Sequence, residues 1–128
     1  MKDIPLAINR LEMVSFDPQK FIATMRLTYN VNGETKTQVV TMDITKKAET
    51  LTTSIINFVK SQANQDIDED NLIDTLFVKH FHQEERVEER LNNHFAHICE
   101  KVRFMKINKN HADYMKFYHT IQDSHLVL

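Results

Sequence analysis

The chain has 128 residues, 41% of them apolar and 27% charged, with a net charge of −2. That length suits one domain with a core of its own, and the balance excludes the low-hydrophobicity signature of disorder. A single cysteine, Cys99, excludes an intrachain disulfide and a cysteine metal cage. A single glycine, Gly33, excludes P-loops, dinucleotide fingerprints and Gly-x-Ser-x-Gly elbows, each of which needs several.

The first residues, Met1-Lys2-Asp3-Ile4-Pro5, lack an apolar signal region. No window approaches the ~18 apolar residues of a membrane span. The expectation is a cytoplasmic protein without membrane contact.

Residues 6–14 carry Leu6, Ile8, Leu11 and Met13 as a candidate strand. Its alternation breaks between Ile8 and Leu11, which predicts a bulge or an irregular edge. Asp17-Pro18 is a turn signal. Phe21, Ala23, Met25, Leu27, Tyr29 and Val31 then alternate with Ile22, Thr24, Arg26, Thr28 and Asn30, the period of a half-buried strand. Asn32-Gly33 follows, the preferred pair for a two-residue type I′ turn. That turn pairs residues whose numbers sum to 65. Phe21 then meets Ile44, Ala23 meets Met42 and Met25 meets Val40, all on one apolar face, while Thr24–Thr41 and Thr28–Thr37 mark the polar face. A one-residue slip would invert both faces, so turn and pattern support one register.

Nearer the turn the match fades. Leu27 faces Gln38, Tyr29 faces Lys36 and Val31 faces Glu34. Eleven extended residues reach roughly 37 Å, about the width of a domain this size, so the outer half is expected to overhang. Leu27, Tyr29 and Val31 become the candidate partner-binding surface.

From residue 46 the period turns helical, with Ala48, Leu51, Ile55, Phe58, Val59 and Gln62 ending near Asn64. Asp66 and Glu69 read as a capping box opening a second helix through Leu72, Ile73, Leu76, Phe77 and Phe81. A hinge at 82–85, favoured over one bent helix because forty straight residues would span ~60 Å, leads to a third helix carrying Val87, Leu91, Phe95, Ile98, Val102 and Met105. Residues 108–110 read as a loop, with Asn110 capping a last helix through Ala112, Met115, Tyr118 and Ile121. The fold class is α+β in a single domain, 1–128. An N-terminal antiparallel hairpin or three-stranded meander (1–45) precedes three to four helices (46–128) packed on one face of the sheet.

Charge divides along the second half. Residues 66–90 hold nine acidic against three basic groups, and residues 100–119 hold five basic against two acidic. The basic block is Lys101, Arg103, Lys106, Lys109 and Lys116, interleaved with Phe104, Tyr114, Phe117 and Tyr118. Cations among stacking rings suit single-stranded nucleic acid, but the chain as a whole is not basic, so this is the second alternative.

Seven histidines include His80-x-His82 and His94-x-x-His97. His94 and His97 lie three apart on a helix and share a face, which suits a metal ion if a third ligand joins them. No His-Glu-x-x-His is present, and His94 falls on the apolar stripe, where a core histidine is the simpler reading. The metal site, in an enzyme or a regulator, is the first alternative. Cys99 reads as a half-buried thiol, since His97 two residues away does not face it. The stripe Val87, Leu91, His94, Ile98 and Met105 has coiled-coil spacing, but Lys101 interrupts the seam.

These residues assign no catalytic group and no cofactor. The functional expectation is a non-catalytic protein–protein interaction module, either an adaptor, an inhibitor or a regulatory accessory protein. Its partner is another protein or a second copy in a homodimer.

Overall fold

In the computed structural model the described residues are 2–70, 79–82, 85–107 and 111–128. In chain order they form β1 (Lys2–Asp17), β2 (Ile22–Val31), β3 (Glu34–Asp43), α1 (Ala48–Asp70), β4 (Lys79–His82), α2 (Glu85–Ile107), α3 (His111–Gln122) and β5 (His125–Val127). The class is α+β. The sheet runs β3-β2-β1-β4, with β5 also on β1. Strands β1, β2, β3 and β5 pair antiparallel, and β4 pairs parallel with residues 2–5 of β1.

The β2–β3 pair rests on its turn. Asn32 has φ 52° and Gly33 has φ 88°, the two positive values a type I′ turn needs. The Gly33 amide donates to Asn30 Oδ1 at 2.9 Å. The register runs from Val31↔Glu34 to Ile22↔Asp43, every pair summing to 65. At the β1–β2 connection, Asp17 Oδ1 accepts from the amides of Gln19 and Lys20, at 2.9 and 3.3 Å.

β1 carries two irregularities, between Ile8 and Arg10 and between Met13 and Ser15. The first lies where the alternation breaks. One extra residue shifts the phase of a strand, so Leu6, Ile8 and Leu11 all turn inward, 4%, 2% and 0% exposed. The second does the same for Phe16.

This placement corrects the expected overhang. Leu27, Tyr29 and Val31 are buried, 0%, 0% and 5% exposed, and belong to the core. The apolar partners missing from β3 are supplied by β1, where Leu11 pairs Leu27, Ile8 pairs Tyr29 and Leu6 pairs Val31. α1 covers the same region. Gln62 Oε1 accepts a bond from Gln38 Nε2 of β3 at 3.1 Å. The three residues therefore do not form a free partner-binding surface.

The helical expectations are corrected in extent. α1 does not end near Asn64 but runs unbroken through Asp66 to Asp70. No glycine or proline falls in that segment, and asparagine and aspartate each cost a helix only about 0.7 kcal/mol or less. Burial of Leu51, Ile55, Val59 and Ala63 along one stripe outweighs that cost. The expected second helix is not found at its far end either. Residues 79–82, including Phe81, form β4, while Leu72, Ile73, Leu76 and Phe77 lie outside the described residues. So does Asn110, the expected cap of α3.

α2 begins at Glu85 and buries Val87, Leu91, Phe95, Ile98, Val102 and Met105. It packs against α1 and α3. α3 returns to β1, where the Phe16 and Tyr118 rings lie 5.9 Å apart. No described helix is long and apolar enough to cross a membrane.

Because Leu27 is fully enclosed, Leu27→Ala is expected to cost about 2–5 kcal/mol of stability in urea denaturation. Leu27→Asp combined with Tyr29→Asp is expected to abolish the cooperative unfolding transition. A near-native midpoint for the double variant would show that these side chains are not core.

Candidate functional site

Hydrogen-bond parity decides which way β3 offers its backbone. Across a two-residue turn the flanking residues exchange both hydrogen bonds, and antiparallel pairs then alternate. Val31↔Glu34 is that first pair. At the other end the Ile44 amide donates to Phe21 O at 3.1 Å, in the same phase. Even-numbered residues of β3 therefore bond to β2. Thr35, Thr37, Val39 and Thr41 direct their amides and carbonyls away from it.

Among the described residues β3 pairs with β2 alone. Side chains of its outward-bonding residues are also exposed, Val39 at 60%. Natural edge strands are blunted by proline, bulges or charges. β3 has no proline and no register shift, and its charges lie at its two ends, Glu34 and Lys36 beside the turn with 3.3 Å between Oε1 and Nζ and Asp43 at the far end. Thr37 to Met42 is uncharged. The signal for this edge was the β-branched run at alternate positions, which fits an exposed pleated surface. Attention to the apolar face alone passes over it.

The histidine pair stands on α2. His94 is half-buried with its ring 5.8 Å from that of Phe95, whereas His97 is exposed. No three His, Cys, Asp or Glu side chains converge as a metal site among the described residues. His80 and His82 fall in β4. Burial lowers the His94 pKa to about 4, and Lys101, His97 and His125 push it the same way. Cys99 lies within sulfur hydrogen-bond reach of the carbonyls of Ile44 and Lys46, at 3.8 and 3.5 Å. Its burial raises the thiol pKa, away from an activated thiolate.

The basic block does not gather on one surface. Lys101 acts on His94, on one side of α2. Arg103 and Lys106 lie on another side, about 160° and 140° around the helix from Lys101 at about 100° per residue. Lys116 belongs to α3, and Lys109 lies outside the described residues. The Phe104 and Phe117 rings stack at 5.5 Å, joining α2 to α3 with Phe104 half exposed.

What the fold does bring together is Arg103 and Lys106 with Lys46 and Lys47, from the β3–α1 connection. They line a cleft of about 420 Å³. The sequence carries Lys46-Lys47 only as a lone doublet, more than fifty residues from Arg103, so no local pattern joins them. A second cleft of about 660 Å³ lies between β1 and the start of α2, with Arg86 and Arg90 on its wall. Arg90 Nη2 donates to Val127 O there at 2.8 Å.

No family model, no curated protein and no solved structure matches the chain.

The buried imidazole has a consequence for stability. His94 titrates near 4 when folded and near 6.5 when unfolded, so the unfolded chain binds more protons between those values. Its contribution is fully present above pH 6.5 and is lost as pH falls toward 4. NMR titration is expected to find the His94 ring neutral at pH 5.5, with His94→Gln flattening the acid side of the stability profile. A His94 titration near 6.5 would contradict its burial.

Proposed function

We propose that this chain is a non-catalytic protein-interaction module that self-associates through the edge of β3. The observation that carries the reading is the ten-residue β3, paired on one side only among the described residues, with an uncharged centre and outward-directed backbone groups. Adding a strand to such an edge supplies main-chain hydrogen bonds, while exposed side chains set register and specificity.

A second copy is a suitable partner because the edge is compatible with itself. A two-fold axis at Val39 places Val39 opposite its equivalent, Thr37 opposite Thr41 and Thr35 opposite Asp43. All are outward-bonding positions, no like charges face each other, and the contact is closed as an isologous dimer requires. Cross-strand Thr–Thr and Val–Val pairs favour antiparallel pairing by a few tenths of a kcal/mol to about 1 kcal/mol each. This reading replaces the apolar outer half of β2 with the edge of β3 as the contact surface.

Parity makes the test specific. Val39→Pro removes an amide that points away from β2, whereas Val40→Pro removes one that bonds to it. Light scattering is expected to give a dimer for the native chain and a monomer for Val39→Pro and Val39→Lys, with melting temperatures close to native. Val40→Pro is expected to destabilise the fold by about 3 kcal/mol. A native chain that stays monomeric at high concentration, or a Val39→Lys dimer, would overturn the reading.

A further inference from the structure

We propose that the cleft between the β3–α1 connection and the C-terminal half of α2 binds a small phosphate-bearing anion. Four cations line it, Lys46 and Lys47 from the connection and Arg103 and Lys106 from α2, against one lining carboxylate, Glu49. The whole chain is slightly acidic, so this concentration of positive charge runs against the overall balance. Among the described residues no ion pair reaches Lys46, Lys47 or Arg103. Asp43 lies close enough to feel Lys46 and Lys106, but its carboxylate is engaged by the Thr45 hydroxyl at 2.6 Å and the Thr45 amide at 3.0 Å. Those bonds lower its pKa, and it remains a fixed charge at the margin.

Shape and rigidity agree with the charge. About 420 Å³ lies in the range of small-ligand sites and is far too small for a folded partner. The floor is core, with Ile44 and Val102 1% and 2% exposed. Cys99 Sγ contacts the carbonyls of Ile44 and Lys46, which ties the connection to α2 and keeps the two segments that carry the exposed cations side by side. Lys106 Nζ also sits 4.9 Å over the Phe21 ring, which limits its wandering. Four like charges held around one concavity repel one another, and a multiply charged anion relieves that repulsion. Arginine presents a planar fork to phosphate oxygens, and lysine adds compact charge, so the mixed set suits a phosphate better than a single carboxylate.

The test titrates the full chain with inorganic pyrophosphate while backbone amides are followed by NMR, with malonate and a short single-stranded oligonucleotide as comparisons. The expected result is saturable shifts confined to residues 44–49 and 99–106, with malonate binding more weakly. Lys46→Gln with Arg103→Gln is expected to raise the pyrophosphate Kd about tenfold or more, since each lost charge-assisted bond accounts for about that factor. Lys60→Gln, on the exposed side of α1, is expected to leave it unchanged. If the first pair perturbs the fold, Lys47→Gln with Lys106→Gln reads the same site. Scattered shifts, or a Kd indifferent to both pairs, would overturn the proposal. So would an oligonucleotide that binds these residues when pyrophosphate does not.

Discussion

The pairing of β1 with β2 is the interaction on which the rest of the structure depends. β2 is apolar on one face along its whole length, while β3 across the turn is apolar only at its far end. A β2–β3 ribbon alone would leave Leu27, Tyr29 and Val31 open on one flank. β1 closes that flank with Leu11, Ile8 and Leu6, and it keeps its own apolar residues in phase only by means of its bulges. β1 also receives β4, β5 and α3. Among the described residues both sides of β1 are thereby paired, while β3 pairs with β2 alone.

What was legible in the sequence was local. The β2–β3 register followed from a two-residue turn and a period-two pattern within 24 residues. The bulge in β1 followed from a phase break between two leucine and isoleucine positions. The buried stripe of α2 followed from helical spacing. Each of these is decided by neighbours in the chain.

What was not legible depended on distant partners. The Asp66–Glu69 capping signal was overruled by a helix already running into it, because a cap is a weak preference and the buried stripe from Leu51 to Ala63 is a strong one. Four residues of β4 have no signature of their own, since a parallel strand is defined by the strand it joins. Leu27, Tyr29 and Val31 lacked apolar partners across the turn, and the answer lay some twenty residues upstream. The basic cleft unites a doublet after β3 with residues of α2 that follow it by more than fifty positions. His94 and His97 were correctly placed on one helix, but burial separates their environments. Of the two proposed surfaces, the β3 edge was implicit in the register and the cleft was not.

The position of β5 has a consequence for how the chain reaches this structure. Residues 10–12 of β1 pair with residues 125–127, and the Leu128 amide donates to Asn9 O at 2.8 Å. During synthesis β1, β2 and β3 leave the ribosome before β5 and can assemble as a unit, but one side of β1 waits for residues made more than a hundred positions later. Such distant pairings are slow to close, and unpaired strand edges are where nascent chains associate wrongly. Until residues 124–128 arrive, residues 9–13 of β1 keep that side open.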